Sequence, residues 1–222
     1  MNPLANEYQP PADHGLSIIY SDDDIIVVDK LSGLLSVPGR GEHKQDCLLS
    51  RVQINYDNAL IVHRLDMETS GIMVLALNKP VQRKLSQLFQ ERKVQKRYIA
   101  VVNGCMHPER GEIDLPLLAD WPNRPRQKVD RENGKPSTTH FRVIGRDRGN
   151  NSTRVELTPV TGRTHQLRVH LRALGHSILG DRLYSDGSGD AGADRLMLHA
   201  EALAFHHPNT DEFMNFECTS PF

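Results

Sequence analysis

One polar cluster in the first third of the chain combines residue types that catalysis uses. His63-Arg64-Leu65-Asp66 is followed by the pair Ser70-Gly71 and then by an unbroken apolar run over residues 72–77. A carboxylate and a guanidinium therefore stand on a loop that leads into a buried strand, and binding and catalytic groups concentrate on loops held by rigid strands. The alternative is a structural salt bridge at a turn, which is the commoner role of neighbouring arginine and aspartate side chains.

Two later segments place further polar groups on regular elements. Lys96-Arg97-Tyr98-Ile99-Ala100 has the composition of a strand, and its tyrosine alone would suit packing in the core. Residues 162–170, Gly-Arg-Thr-His-Gln-Leu-Arg-Val-His, fit a basic amphipathic helix that includes Arg163 and Arg168. Each segment taken alone therefore has a purely structural explanation.

Together the three segments resemble the signature of the RluA family of pseudouridine synthases. That signature contains His-Arg-Leu-Asp before Ser-Gly and a strand, Lys-x-Tyr-x-Ala, and Gly-Arg-x-His-Gln-[Ile/Leu]-Arg-x-His. The resemblance extends over residues 16–205. It implies that Asp66 is the catalytic carboxylate, that Tyr98 lies against the target base and can take part in proton transfer from C5, and that Arg168 pairs with Asp66. An adjacent guanidinium would favour the ionised carboxylate that the attack requires.

Further stretches resemble the family without an assigned chemical role. Residues 29–33, Asp-Lys-Leu-Ser-Gly, resemble the family's Lys-Pro-x-Gly, with Leu31 in place of the proline. We expect this departure to affect only the rigidity of a loop beneath the active site. Residues 178–181 and 196–199 resemble segments that line the pocket, and we expect their apolar side chains to form its walls.

The implied reaction converts uridine in RNA to pseudouridine. Uracil is detached at N1 and rejoined through C5, which builds oxocarbenium character at C1′. Asp66 could attack C1′, take the 2′ proton or attack C6, and the sequence does not choose among these routes. A stacked uridine must be flipped out to react, and Arg64 is placed to fill the gap. Similarity of residues 120–128 to the dual-specificity member of the family implies a 23S ribosomal RNA hairpin and transfer RNA anticodon stem-loops as substrates.

Two other functions remain open from the residues alone. A carboxylate-dependent RNA nucleosidase or glycosidase would need a second acid near Asp66, and Glu68 is the local candidate. A non-catalytic RNA-binding module would use Asp66 only as an ion-pair partner. No phosphate-binding glycine motif and no zinc-ligand spacing is present, so we expect neither a cofactor nor a metal.

The charges are balanced overall but clustered along the chain. The net charge is −1, from 27 basic and 28 acidic residues, while basic residues gather in three stretches near the motifs, over residues 83–97, 124–135 and 163–172. Binding of nucleic acid depends on where charges lie. The predicted RNA contacts are His63, Arg64, Lys96, Arg126, Lys128 and Arg163. With no transmembrane run, no signal peptide and three scattered cysteines, we expect a cytoplasmic protein, and we expect it to be a monomer.

The apolar pattern predicts a mixed α+β fold with a mostly antiparallel sheet in two lobes flanking an active-site cleft. Strands are predicted over residues 16–20, 25–29, 72–77, 98–102, 139–144, 154–160 and 195–205, the last being the final strand. Helices are predicted after Asp46, from about Pro80, and after Thr164, with Asp46 and Thr164 as caps. Residues 1–15 are expected to form a loose arm and residues 16–222 one catalytic domain. No S4-type RNA-binding domain is expected before it, and residues 186–192 are expected to form a flexible loop.

Overall fold

A mixed β-sheet runs through both halves of the protein. The computed structural model describes residues 8–185 and 193–222, and within them three α-helices pack against the strands. The helices are α1 (Leu48–Gln53), α2 (Lys79–Gln90) and α3 (Gln166–Ala173). The strands are β1 (Ser17–Ser21), β2 (Ile25–Lys30), β3 (Leu60–Ile61), β4 (Ser70–Ala76), β5 (Gln95–Asn103), β6 (Arg110–Asp114), β7 (Leu117–Ala119), β8 (Gln127–Val129), β9 (Thr138–Asp147), β10 (Ser152–Pro159), β11 (Leu198–His206) and β12 (Phe213–Glu217).

The strand order brings the two ends of the chain together. The main sheet runs β1-β2-β4-β11-β5-β10-β9-β6, with β12 beside β11 and β3 beside β4. The β4–β11 pair is parallel, and the other pairs of this sheet are antiparallel. β7 and β8 form a separate hairpin. The predicted mixed α+β fold with a mostly antiparallel sheet is confirmed, and β11 joins the strands of its two halves.

The unbroken apolar run of the motif is explained by β4, which is covered on both faces. Ile72 and Val74 belong to the cluster that includes apolar residues of α2, whereas Met73 and Leu75 belong to the cluster that includes those of α1. A strand buried on both faces needs apolar side chains at every position. β4 is therefore a rigid base for the loop that precedes it.

Gly71 lies where β4 meets β11, and only glycine fits there. Its φ is +113°, and a Cβ at this position would lie 2.3 Å from the carbonyl oxygen of Ala200 and 2.6 Å from its nitrogen. The two residues are direct partners in the parallel pair. The glycine thus permits the close approach that places the Asp66 loop against strands from the second half of the chain.

Two predicted helix caps are wrong. At α1 the N-cap is Cys47, whose Sγ accepts a hydrogen bond from the Ser50 amide at 3.4 Å. Asp46 instead accepts a hydrogen bond from Nε of Arg51 at 2.8 Å. At α3 the helix begins only after His165, which has a left-handed φ of 54° and no side-chain cap, so Thr164 lies outside it. A left-handed residue cannot continue a right-handed helix, which moves the start to Gln166.

The chain continues past the strand that was predicted to be the last. β11 is the strand expected over residues 195–205, and β12 follows it and pairs with it. β12 lacks the alternation of apolar and polar residues that indicates a strand: Phe213 and Met214 are adjacent, and only Phe216 is buried among its five residues. The short strands β6, β7 and β8 were also not predicted, for the same reason: each buries a single apolar side chain or fewer.

The described part of the N-terminal segment contacts α1. The Tyr8 hydroxyl donates to the carbonyl of Asp46 at 2.9 Å, and Arg51 donates to the carbonyl of Pro11 at 2.6 Å. Residues 1–7 of the predicted arm and the predicted loop 186–192 lie outside the described residues. In the described ranges, no helix combines the length and the apolar character needed to cross a membrane.

Candidate functional site

Asp66 lies on the loop before β4, at the junction of the two halves of the sheet. Its carboxylate is 25% exposed, with Oδ2 3.4 Å from Nη1 of Arg168 and Oδ1 3.9 Å from Nε2 of His165. Both partners come from the start of α3, about a hundred residues later in the sequence. The carboxylate is therefore held loosely from one side and remains accessible from the other.

Arg168 is fixed by a second carboxylate more tightly than by Asp66. Its Nε and Nη2 donate to the two oxygens of Asp181 at 2.8 and 2.7 Å, and both side chains are almost fully buried. Burial works against the charged guanidinium, but the hydrogen bonds and charge of Asp181, with the charge of Asp66, raise the pKa of Arg168 above its ordinary value. The expected contact between Arg168 and Asp66 exists, but within the network of Asp66, Arg168 and Asp181 it is longer than the contact between Arg168 and Asp181.

Asp181 is the residue of this network that the sequence reasoning missed. Its Oδ1 also accepts hydrogen bonds from the backbone amides of Leu183 and Tyr184, at 3.0 and 3.1 Å. The carboxylate is thus fully satisfied inside the protein and serves to orient the guanidinium. The signal was available in the Gly180-Asp181 pair of a family-like segment, which had been assigned only to the pocket wall.

A histidine and a tyrosine form a second support beneath Asp66. The Tyr184 hydroxyl accepts a hydrogen bond from the Gln127 amide at 2.7 Å and lies 2.7 Å from Nδ1 of His165. If the hydroxyl donates its proton to Nδ1, the imidazole proton lies on Nε2, which faces Asp66. Burial lowers the pKa of His165, so the ring is neutral near pH 7, although the charge of Asp66 opposes this shift. Neither residue was predicted as part of the site.

Tyr98 lies on β5, where it packs against apolar clusters of both halves of the sheet. Burial, and then the negative charge of Asp66, raise the pKa of its hydroxyl well above the ordinary value. The phenol is therefore neutral at physiological pH. A neutral phenol donates a hydrogen bond, and it can accept a proton only if it passes its own proton on.

Lys30 joins the loop that contains Asp66 to the loop that follows β2. Its fully buried ammonium donates to the carbonyls of Leu31, Leu34 and Met67 at 2.8, 2.7 and 3.0 Å. Burial lowers the pKa of Lys30 to about 7, against the opposing effect of the Asp66 charge. Three carbonyl acceptors nevertheless match the three protons of the charged form. The residue after Asp66 is thereby tied to the loop after β2.

Four of the predicted RNA contacts form no ion pair with a residue that the structure describes. Arg64 and Arg163 are exposed, and neither forms an ion pair with a described residue. The Lys96 ammonium lies beside Gly162, and burial, with Arg92 nearby, lowers its pKa. Arg126 is half-buried in the β7–β8 hairpin, whose Gln127 contacts Tyr184.

The other two predicted contacts are paired with other residues of the protein. Lys128 forms an ion pair with Asp130 at 3.3 Å. His63 accepts a hydrogen bond from the Val74 amide at 3.1 Å, and its ring stacks on Phe89 with centroids 4.5 Å apart. Burial lowers the pKa of His63 to about 3. Its imidazole is therefore an uncharged packing element between β4 and α2, and its prediction as an RNA contact loses its physical basis.

The described residues contain one group with the ligand types of a metal site. Asp29, His199 and Cys218 bring ligand atoms within 4.8 Å of one another. Both nitrogens of His199 already form hydrogen bonds, Nδ1 with Ser70 Oγ at 2.8 Å and Nε2 with the Cys218 carbonyl at 2.9 Å. A metal would have to replace one of these bonds. Neighbouring residues of a strand point to opposite faces, so Asp29 lies on the face of β2 opposite to Lys30, which contacts the loop of Asp66. The group therefore lies on the other face of the sheet from Asp66.

Known proteins are similar to this chain in sequence and in fold. A model of the family described as RNA pseudouridylate synthase matches residues 24–173. The chain is 51% identical over 215 residues, 97% of its length and 98% of the relative's, to "Dual-specificity RNA pseudouridine synthase RluA" of Escherichia coli strain K12. It is 49% identical over the same span to the protein of that name from Pasteurella multocida. The solved structure "Human RNA Pseudouridylate Synthase Domain Containing 1" superimposes with a TM-score of 0.81 at 32% identity, covering 96% of this chain and 87% of that one.

Proposed function

Because the chain belongs to the RNA pseudouridylate synthase family and isomerises uridine in RNA to pseudouridine, we propose that Asp66 is the carboxylate that performs this reaction. The observation that supports the proposal is the arrangement of side chains around Asp66. Asp66 is the accessible end of a network whose other members, Arg168 and Asp181, are buried and fixed. The family resemblance found in the motifs is confirmed, whereas the roles of individual residues are proposals.

Asp66 would meet the sugar of the target uridine from the open side of the cleft. The Arg168 guanidinium orients the carboxylate, which suits a group that must stabilise or attack a developing oxocarbenium centre. Held on one side only, at 3.4 Å, the carboxylate keeps lone pairs free for the substrate. Leu65, next to Asp66, is buried in an apolar cluster against which Tyr98 packs, and this cluster would keep water away from the detached base, which would otherwise be lost by hydrolysis.

The position of Asp181 argues against the nucleosidase alternative. That carboxylate is the second acid of the network, but both of its oxygens accept hydrogen bonds from Arg168 and it is buried. A hydrolase needs its second carboxylate poised over water. Glu68, the other candidate, follows Asp66 in the loop, where its backbone carbonyl accepts a hydrogen bond from Ser32 Oγ at 2.6 Å.

RNA would be held by the exposed cations around the cleft, and Arg64 would have a distinct part. It is two residues from Asp66 and free of described ion pairs, so it can enter the stack when the uridine leaves it. Lys96, Arg126 and Arg163 would contact phosphates. Each phosphate neutralised on single-stranded RNA contributes roughly −0.7 to the slope of log K against log salt, so four to six contacts predict a slope of about −3 to −4.

The substrates we propose are structured stem-loops of both ribosomal and transfer RNA. Support comes from relatives that are called dual-specificity enzymes and are about half identical over nearly the whole chain. Catalysis needs only groups from this chain in the arrangement above, which is consistent with a monomer. We also propose that it works in the cytoplasm, where these RNAs are available in bacteria such as those that contain the relatives.

The deciding experiment compares Asp66→Asn and Asp66→Ala with the wild type on ribosomal and anticodon stem-loop transcripts containing [5-³H]uridine. The wild type should release tritium and form pseudouridine, and both variants should form none while binding RNA within a few-fold. Release of free uracil by the wild type would indicate a nucleosidase. RNA binding by the wild type without pseudouridine or free uracil would indicate a non-catalytic module. Glu68→Gln is the matched control and should retain turnover; appreciable turnover by Asp66→Ala would remove Asp66 from its role.

A further inference from the structure

The β7–β8 hairpin exposes the chain's single tryptophan. Trp121 is 66% exposed at the turn between the two strands. The guanidinium carbon of Arg124 lies 3.0 Å from the centre of its ring, so the two planar groups are stacked. Since one ring face is covered by Arg124, an exposure this large requires the other face to be open.

The hairpin is attached to the floor of the active site. The Gln127 amide donates to the Tyr184 hydroxyl, which in turn contacts His165 beside Asp66. Leu117 and Val129 of the hairpin pack with Val169 of α3 and with Tyr184 in one small apolar cluster. The stacked pair therefore stands at a fixed position relative to the carboxylate, a few residues beyond this anchor.

The charges of the hairpin favour an anionic partner. Arg124 is exposed, Arg126 is half-buried, and neither forms an ion pair with a residue in the described ranges. Asp120 accepts a hydrogen bond from the side chain of Asn123, and Asp130 is paired with Lys128. Of the two acids, only Asp130 is paired with a cation, and the three basic residues of this segment, Arg124, Arg126 and Lys128, outnumber the two acids by one.

We propose that the Trp121–Arg124 stack is a binding subsite for an unpaired nucleobase of the RNA substrate, outside the pocket that takes the target uridine. The proposal deepens the proposed function and rests on it. The base lies on the open face of the indole, and the Arg124 charge attracts the adjoining phosphate. Aromatic faces and guanidinium planes are the surfaces on which proteins stack unpaired RNA bases. A loop of a stem-loop substrate supplies such a base close to the uridine that is flipped toward Asp66.

The single tryptophan makes the unmodified protein its own probe. The wild type is titrated with an anticodon stem-loop and with a ribosomal RNA hairpin while its fluorescence and its quenching by acrylamide are followed. Stacking should quench the emission and protect the ring from acrylamide. Both changes should saturate at the RNA concentration at which filter binding saturates. The same samples are assayed for pseudouridine.

Variants test whether the stack contributes affinity. Trp121→Ala should raise Kd for the stem-loop by about 5- to 150-fold, the range for losing one stacked base, and raise KM more than it lowers kcat. Trp121→Phe, which keeps a ring, should stay within a few-fold. Arg124→Ala should reduce the salt slope by about 0.7, and Trp121→Ala should leave that slope unchanged. Phe213→Ala, which removes an aromatic that is 53% exposed outside the hairpin, is the matched control and should bind RNA normally.

The outcomes separate this subsite from the proposed function. Pseudouridine formation with unchanged tryptophan emission and acrylamide quenching at saturating RNA would overturn the subsite and leave the function standing. Absence of both binding and product would count against the proposed function itself. An emission change that follows protein concentration in the absence of RNA would mean that the ring mediates self-association, and the subsite would be refuted. Equal melting temperatures of Trp121→Ala and Trp121→Phe would show that any affinity loss is not a folding defect.

Discussion

Replacing Asp181 with alanine would leave the buried guanidinium of Arg168, only 3% exposed, without its two short hydrogen bonds. Asp66 would remain as a partner at 3.4 Å. Breaking a buried pair by removing one member typically costs about 3–5 kcal/mol, because the other charge is stranded. For a protein of this size each kcal/mol lowers the melting temperature by about 2–4 °C, so Asp181→Ala should melt about 6–20 °C below the wild type.

The same network predicts a much smaller cost at Asp66. That carboxylate is one quarter exposed and makes one long contact with Arg168, and partly solvated ion pairs contribute only about 1 kcal/mol or less. Asp66→Ala should therefore abolish turnover with little loss of stability. Asp181→Ala should lose stability and, because Arg168 becomes free to turn, also lose rate. The two carboxylates thus separate catalysis from structural support.

The assay is urea unfolding of Asp66→Ala, Asp181→Ala, Arg168→Met and the double variant Arg168→Met/Asp181→Ala, with single-turnover pseudouridine formation on each folded variant. Members of a buried pair couple by about 0.5–3 kcal/mol, so the double variant should be less destabilised than the sum of its single changes. Equal unfolding free energies for Asp66→Ala and Asp181→Ala, or strict additivity in the double variant, would refute the assignment of Asp181 as the main partner of Arg168.

Three further changes test other contacts. Tyr98→Phe should bind RNA but lower turnover by about 10²- to 10⁴-fold if the hydroxyl transfers a proton, whereas near-normal turnover in the tritium assay would leave the ring only a packing role. Burial lowers the pKa of Lys30 to about 7, so between about pH 7 and 10 the folded protein has released a proton that the unfolded chain still binds. The free energy of unfolding of the wild type should therefore rise with pH in this window, by up to about 1.4 kcal/mol per pH unit. Urea unfolding of Lys30→Met at pH 7.5 and 9.5 should lack this rise. Gly71→Ala should cost about 3 kcal/mol or more through its clash with Ala200. Gly175→Ala, with a similar φ of +84° and no neighbour within 4 Å, should cost less in the same measurement.

Much of the site could be predicted from contiguous residues. The motif around Asp66, the strand that follows it and the helix that includes Arg168 all have local signals, namely an apolar run, a turn pair and a repeating apolar stripe. The strand is apolar at every position because both of its faces are covered, and that requirement is visible in the sequence. The amphipathic face of α2, with Val81 and Leu85 buried, follows from helical periodicity in the same way.

The partners across the site were decided only by the tertiary structure. Asp181 binds Arg168 from 13 residues away, and the contact from Tyr184 to the hairpin crosses 57 residues, so no local pattern encodes either pairing. His63 belongs to the most recognisable motif, yet the fold uses its ring for packing against Phe89. The residue types that chemistry needs are local properties of a sequence, whereas the burial and distances that set their charge and orientation arise only when distant segments pack together.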